Sequence, residues 1–491
     1  MPYLGALVGA GLSVLAFPPF GLWPMVVVGP AVWLWSLRKV DSSRKGAVVG
    51  FLFGLGFVGG LIWWLSELGL EAVIPLVVVQ ALFPALFAWI ATRWLAGIRS
   101  SAWPVVAAGL WAITELLRYR FPVGGFEWGA WGYALSDLEA ARALARWVGT
   151  SGLTVLTMAS AAGLATLRLR TAMLAMALSA VGLGVGWLMP GLPGGSAVPV
   201  AIVQGSTPCP FIHCDNERYG TYLQHLELTR TIPEGAVDLV VWSEGSTGSF
   251  NADPINAPEV GEAIGAEAAR IGAWMVVGGD RPISETHWYN ANVVFAPDGR
   301  IVGEYRKQHP VPFGEYIPAR PFFEWIPALD QVPRDMIPGS GAVVFDLGDF
   351  DLGTVISFEG GFARYARDAA NEGADLLVVA TNEGSYGFTP AADQFIGMTR
   401  MRSAETGLDL IHAAVTGKSV IVTDGGVLGE KTGLGTQEVL FGEVTPRPGL
   451  TTPYVRFGEW VSLVAILGGI VAWTRSRPRV PRGREVSEVA V

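Results

Sequence analysis

Apolar residues are unevenly distributed along the chain. Seven apolar stretches fill the first 190 positions, at about 2–17, 21–37, 47–66, 72–92, 102–117, 148–166 and 171–189, and an eighth runs from about 459 to 474. A bilayer core about 30 Å thick takes roughly 20 apolar residues per helix. The stretches therefore predict eight membrane helices, some of them short. Between 190 and 458 the pattern changes to short strand-like runs alternating with helix-like ones. Strands are predicted at 198–203, 238–242 and 274–279, with helices at 216–232 and 259–271 between them. The runs 292–296 and 301–305 flank Pro297-Asp298-Gly299, a hairpin signal. Strand–helix repetition followed by hairpins predicts an α/β domain of layered sheet and helix, held between the seventh and eighth spans.

Within that region the stretch from Gly353 to Asn382 is the most informative. Thr354 to Phe358 reads as a buried strand that stops at Ser357-Phe358-Glu359-Gly360-Gly361. A helix is predicted over 362–372, closed by Gly373, and a second strand over 374–381. A small hydroxyl residue at a strand tip, on a glycine-flanked turn into a helix, is where many α/β folds present a nucleophile. The same residue also suits a helix cap. Glu244 follows the apolar run LVVW at another strand end, where a partly desolvated carboxylate suits general-base work. Lys307 follows the strand 301–305, and an ammonium there can donate to a developing oxyanion. Each charge alone is what a solvated strand end would carry. Together with Ser357 they fall just past the C-terminal ends of core strands, where α/β sheets place ligands. A nucleophile, a carboxylate and a lysine suffice for acyl transfer.

Composition supports the membrane reading. Of the 491 residues 51% are hydrophobic and only 16% charged, with a mean hydropathy of +0.40. Nineteen Trp suit interfacial anchoring. The net charge of −9 argues against a nucleic-acid partner, which would need a basic face. Basic residues set the expected orientation. Arg38, Lys39, Arg44 and Lys45, then Arg93 and Arg99, then Arg168 and Arg170, then Arg475 and the arginines after it all fall on one side of an eight-span chain, the cytoplasmic side. Both termini are then cytoplasmic, the α/β domain is extracytoplasmic, and the Arg- and Pro-rich end is a disordered tail. Arg118, Arg120, Arg142 and Arg146 dissent from that pattern, accompanied by Glu127, Asp137 and Glu139.

Three loops attract attention. Gly124 to Gly132, with Trp128 and Trp131, is expected to anchor at the membrane surface or to line a lipid entrance. Pro310 to Gly339 carries Phe313, Tyr316, Phe322, Phe323, Trp325 and Ile326 among prolines; it packs on the domain or serves as a lid dipping into the membrane. Gly384 to Pro390, with Tyr386 and Phe388, is a candidate second gate. The two cysteines, Cys209 and Cys214, share one loop and can form a local disulfide. His213 beside them does not make a metal site. His309 is expected to be an ordinary loop residue.

The layout resembles that of the apolipoprotein N-acyltransferase family. The resemblance rests on Glu244 in VVWSEGS, Lys307 in YRKQHPVPFGEYIP, the strand tip VISFE, and the membrane motifs FPPFGLWP at 17–24 and FLFGLGFVGGLIWWL at 51–65, with the Glu115/Arg118 pair before GGFEWG. It spans nearly the whole chain, and KQHPVPFGEYIP is its most specific piece. It implies an α-helical polytopic membrane bundle plus an α/β nitrilase-like αββα sandwich, divided as bundle 1–190, sandwich 191–455, eighth helix 456–476 and tail 477–491. It also implies transfer of an acyl chain from a membrane phospholipid to the N-terminal amine of a diacylglyceryl-cysteine apolipoprotein, through an acyl-enzyme and without metal or cofactor. A monomer in the cell membrane is expected. The family's Glu-Lys-Cys triad carries over onto Glu244, Lys307 and position 357. Its supporting residues carry over onto Glu315, Phe358 and Glu359, with Phe322, Phe323, Trp325 and Tyr386 in the loops. The departures are Ser357 for the family's cysteine, Ser243 for its proline and Glu127 for another proline. Ser357 is compatible with a working serine nucleophile, a cysteine-to-serine change, or lost catalysis. A membrane-tethered amidase and a non-catalytic lipoprotein-binding homologue are the alternative readings.

Overall fold

The computed structural model describes residues 1–189, 191–210, 217–248, 252–323 and 325–476. Seven helices come first: α1 (Pro2–Val14), α2 (Met25–Leu37), α3 (Ser43–Leu61), α4 (Leu70–Trp94), α5 (Trp103–Arg118), α6 (Glu139–Ala165) and α7 (Leu169–Leu188). Five helical segments, 43–61, 70–94, 100–118, 139–165 and 169–188, are long and apolar enough to cross a membrane; α1 and α2 are shorter. Every apolar stretch read from the sequence is therefore a helix. The helices approach closely where side chains are small. A Cβ on Gly50 of α3 would lie 2.2 Å from the Pro84 carbonyl oxygen of α4, so glycine sets that helix contact.

The basic clusters share one end of the bundle. Arg38 at the end of α2 donates to the Ala165 carbonyl at the end of α6, 2.7 Å away. Of the dissenting arginines two are turned away from solvent, while Arg146 is half-buried and Arg120 is exposed. Arg118 is buried in a pair with Glu115 at 2.9 Å, and Arg142 is buried. One boundary differs from expectation: α6 starts at Glu139 and is broken at Gly149 (φ 68°, ψ 174°). The spanning part begins beyond that break, and residues 139–148 form a separate first segment. Trp147 in that segment, Trp187 near the end of α7, and Trp460 are exposed, as an aromatic belt requires. Trp128 and Trp131 are instead buried, at 4% and 1% exposure, so the expected surface anchors are core residues.

The chain next builds two sheets. Their elements are β1 (Val198–Gln204), α8 (Glu217–Thr229), β2 (Leu239–Trp242), α9 (Pro258–Ile271), β3 (Trp274–Pro282), β4 (His287–Phe295), β5 (Ile301–Arg306), β6 (Asp335–Met336), β7 (Val344–Asp346), β8 (Asp351–Ile356), α10 (Ala363–Asn371), β9 (Leu376–Thr381), α11 (Ala391–Thr406), β10 (Asp409–Ala414), β11 (Val420–Thr423), β12 (Val427–Lys431) and β13 (Glu438–Val444). The short helix α12 (Pro453–Phe457) and the apolar α13 (Trp460–Ser476) follow. One sheet has the order β13-β1-β2-β3-β4-β5 with β6 on β4, and the other β12-β11-β10-β9-β8-β7. Pairing is mixed: β1, β2 and β3 are parallel, as are β8, β9 and β10, while hairpins close the edges.

Alternation along the strands determines the layers. Val200 and Ile202 point between the sheets and meet Leu352, Ile356, Val378 and Ile411. Ala201 and Val203 point outward into a core with α8 and α9 residues such as Leu226 and Ile264. The outer face of the second sheet, through Leu377 and Val379, shares one apolar core with Phe395 and Met398 of α11 and with the membrane helices. The order of layers is thus α8/α9, sheet, sheet, α10/α11, bundle. The predicted strand 354–358 actually runs from Asp351 to Ile356. Ser357 opens a one-turn 3₁₀ segment, Ser357–Gly361, because Glu359 takes the Ile356 amide at 2.8 Å and turns the chain.

Candidate active site

Lys307 lies past the end of β5 and is only 1% exposed. An ammonium so buried must be paired. Its Nζ donates to Glu315 Oε1 at 2.6 Å and to Glu244 Oε1 at 3.2 Å. Burial alone would lower its pKa, but the two carboxylates outweigh it and hold it above the ordinary lysine value. Glu244 follows β2 and is fixed from two further sides. The Asn290 side chain donates to Oε1 at 2.7 Å, and the Asn382 backbone amide to Oε2 at 3.0 Å. Glu315 accepts the Val311 amide at 2.7 Å with its other oxygen. It therefore closes the loop 311–315 onto the lysine.

Ser357 is half-buried and has a left-handed backbone, φ +52°. A non-glycine residue there is strained, and such strain clusters at functional turns. Two ties bring this tip to the carboxylate cluster. Ile356, just before it, pairs with Ala380 of β9, and Asn382 two residues beyond supplies the amide to Glu244. Glu359, fully buried, accepts the His309 amide at 2.9 Å and the Tyr305 hydroxyl at 2.7 Å, and also accepts the Gln308 amide. Residues 308–309 follow Lys307 directly, so Glu359 clamps the Ser357 turn to the lysine strand. Burial pushes the Glu359 carboxyl up to about 7, against the pull of those donors and of Lys307.

The aromatic neighbours reach the bundle. Phe358 packs on Phe126 at 5.9 Å and on Phe362 at 4.8 Å. Tyr386 packs edge-on against Trp64 at 4.6 Å, and Trp128 stacks on Phe395 at 5.7 Å. The Gly124–Gly132 loop is therefore the joint between bundle and sandwich. Phe322 and Trp325 are 76% and 75% exposed, while Phe323 is half-buried against Phe313 at 5.5 Å. His309 is not the ordinary loop residue expected from sequence. It is 5% exposed and wedged among Phe358, Phe362 and Tyr365, because the Glu359 clamp draws its backbone inward.

Sequence reasoning missed Asn290, Asn382 and Asp280. Asp280 lies toward the end of β3, past the expected strand end at Gly279. Burial, then the like charges of Glu244 and Glu315, raise its pKa to about 7. The rule that singled out Glu244 would have found it. Asn290 and Asn292 share one face of β4, two polar residues at period 2 in an apolar strand, and that was their signal. Among the described residues no cluster of metal-ligating side chains occurs. Cys209 is disulfide-bonded, and Cys214 of the expected local bridge lies outside the described residues, as does His213.

Two face-packed sheets with a Glu–Lys–Glu cluster beside a strand-tip turn define a nitrilase-like domain, here joined to a helical bundle. Family models agree: residues 199–447 match the carbon–nitrogen hydrolase model, and residues 9–163 the apolipoprotein N-acyltransferase N-terminal domain. The chain is 31% identical to an apolipoprotein N-acyltransferase of Nitrosomonas europaea over 95% of its own length and 96% of the relative's. It is 30% identical to that of Methylococcus capsulatus over 96% of each chain, and 26% to that of Vibrio cholerae over 97% and 98%. The chain belongs to the apolipoprotein N-acyltransferase family.

Proposed function

We propose that the protein moves an acyl chain from a membrane phospholipid to the N-terminal amine of a diacylglyceryl-cysteine apolipoprotein, through an acyl-enzyme on Ser357. In the first step Ser357 Oγ attacks the ester carbonyl and its proton passes to Glu244. Lys307 donates to the oxyanion. Collapse expels the lysophospholipid alkoxide, which takes the proton back from Glu244. In the second step the cysteine α-amine attacks the seryl ester and gives a proton to Glu244. The amide forms, the C–Oγ bond breaks, and Oγ recovers the proton. Glu315 holds Lys307, Glu359 holds the turn, and no metal or cofactor takes part.

The observation that carries this reading is Lys307, buried between Glu244 and Glu315 and tied to the Ser357 turn through Glu359. A buried charge triad at strand ends adds little or nothing to stability, so a chemical role accounts better for its presence. The proposed units are the bundle 1–190, an extracytoplasmic sandwich 191–455, the eighth helix 456–476 and a cytoplasmic tail 477–491, acting as a monomer. The bundle and the basic residues at its far end support that placement. Phe322, Phe323, Trp325 and Tyr386 line the approach for acyl chains. The test is incubation with phospholipid labelled in its acyl chain, followed by mass mapping. An acyl adduct on Ser357 that an apolipoprotein peptide discharges is expected. Discharge by water alone would make the protein a lipid-ester hydrolase, and absence of both adduct and transfer would end the reading.

A further inference from the structure

A cavity lies beside the segment that follows Lys307. It has a volume of about 330 Å³, and Val123, Gly124, Gln308, His309, Tyr316 and Met336 are among its lining residues. Its wall is mostly apolar, and it opens where the chain leaves α5. There Phe121 and Val123 are 66% and 46% exposed. One lining residue carries an unusual polar atom. His309 Nε2 is buried and has no hydrogen-bond partner among the described residues.

The other ring nitrogen determines what Nε2 can do. His309 Nδ1 lies 3.1 Å from Arg364 Nη2 and 2.9 Å from the Tyr365 hydroxyl. A guanidinium has no acceptor, so Nδ1 accepts and the proton of the neutral ring sits on Nε2. Arg364 is itself fixed by the Tyr119 and Gly124 carbonyls at 2.8 and 2.9 Å. Gly124 is required at this point: a Cβ there would lie 2.4 Å from His309 Cε1. The loop after α5 thus holds the imidazole in one tautomer, with a desolvated N–H left over. A desolvated donor of this kind is costly unless something accepts from it.

We propose that this cavity is a binding site for a fatty-acyl glycerol ester. The chain lies against Val123, Pro310, Tyr316 and Met336, and the ester carbonyl accepts from His309 Nε2–H. An ester supplies the acceptor and an apolar tail supplies the fill; among the described residues no lysine or arginine lines the cavity to hold a free anion. Both reactants of the proposed reaction carry this group, the phospholipid and the diacylglyceryl cysteine. The proposal rests on that reading and names where one reactant's second chain is held. His309 is a binding residue, outside the proton transfers described above.

The test uses the full-length Ser357→Ala protein in nanodiscs, so that binding is read without acyl transfer. Two photo-reactive probes carry a diazirine in the acyl chain, one a phospholipid and the other a diacylglyceryl-cysteine peptide. Cross-links are expected at Val123 and Met336, and the probe that gives them identifies the reactant. His309→Phe should lower that yield about fivefold to tenfold, and His309→Gln, which can place an N–H at the same reach, should restore most of it. Val123→Trp at the half-exposed mouth should block the yield without touching His309, which covers the case that His309→Phe does not fold. Cross-links mapping elsewhere with both probes, or an undiminished yield in folded His309→Phe and Val123→Trp, would overturn the site. Cross-links as expected from a wild-type protein that forms no acyl adduct would leave the site standing and remove the transfer reading.

Discussion

At position 357 the side chain is the variable and the backbone is fixed. The left-handed turn, the Glu359 clamp and the Lys307 pair do not depend on whether Oγ or Sγ is presented. A serine hydroxyl is essentially un-ionised near neutral pH, while a thiol is a few per cent thiolate. As nucleophile, Ser357 would depend wholly on a base such as Glu244 for activation, and its oxygen ester would be a weaker acyl donor to an amine than a thioester. Ser357→Cys is expected to raise the rate of acyl transfer to a peptide amine by about tenfold or more, measured with labelled phospholipid. No gain, in a protein whose wild type is also silent, would count against catalysis. Two other residues set an acid limit. Burial lowers His225 to about 4, and burial with Arg364 lowers His309 to about 3. Both are neutral in the fold, whereas the unfolded chain takes protons near pH 6.5. The folded pKa values lie below the unfolded one, so stability is full above about pH 6.5 and declines as the pH falls toward 4. At pH 5 each histidine costs about 2 kcal/mol. Glu127, Asp280 and Glu359, held near 7 by burial, act in the opposite sense over the same window, so the histidine part is read by difference: from pH 7 to 5 the thermal midpoint of His225→Gln or His309→Gln in detergent should rise relative to that of wild type.

Elements were legible wherever a single pattern dominated. All eight apolar stretches became helices, and the runs at 198, 239, 274 and 301 became strands, because burial on one or both faces writes itself into period and composition. Glu244 and Lys307 were legible from the strand-end rule. What failed has physical causes. The break at Gly149 was hidden because the sequence on both sides is helical, and the interruption comes from tertiary packing: a Cβ there would sit 2.2 Å from Tyr454. Trp128 and Trp131 looked like belt residues because exposure cannot be read from residue type. Trp128 is buried against α11, some 270 positions away, where it donates to Gln394 at 2.8 Å and stacks on Phe395, and Trp131 stacks on Trp111 of α5 at 4.7 Å. The loop 310–339 illustrates the opposite case. Its prolines exclude a long helix, and only short 3₁₀ turns form, leaving Phe322 and Trp325 in the open. Since these side chains contribute little to the core, alanine at Phe322, Phe323 and Trp325 together should leave the thermal midpoint within a few degrees. Acyl transfer from phospholipid should nevertheless fall severalfold. Unchanged transfer would remove the lid.

At the scale of the molecule, bundle and sandwich share one core rather than touching at a surface. The polar centre of that seam is Arg402 of α11, with 0% exposure. It pairs with Glu405 at 3.1 Å and lies 4.0 Å from Glu127 of the bundle loop, while Glu405 takes the Thr150 amide of α6 at 2.6 Å. Burial raises the Glu127 carboxyl to about 7, with Arg402 and Arg364 pulling the other way. Removing one member of such a set strands the others in a dry environment. Arg402→Met is expected to cost about 3–5 kcal/mol, read as a lower thermal midpoint and as earlier proteolysis at the seam. A midpoint unchanged within error would mean that the apolar contacts alone hold the two parts together.

The sandwich is also fastened twice. The chain enters it from α7 and leaves it into α13, whose first residue, Trp460, donates to the Trp147 carbonyl of α6 at 2.7 Å. A body moored at both its beginning and its end has no freedom to swing its mouth toward bulk water. Reactants that are themselves confined to a lipid leaflet then meet it by lateral diffusion, in a two-dimensional search. Their encounter frequency should scale with surface density in the leaflet rather than with concentration in the surrounding volume.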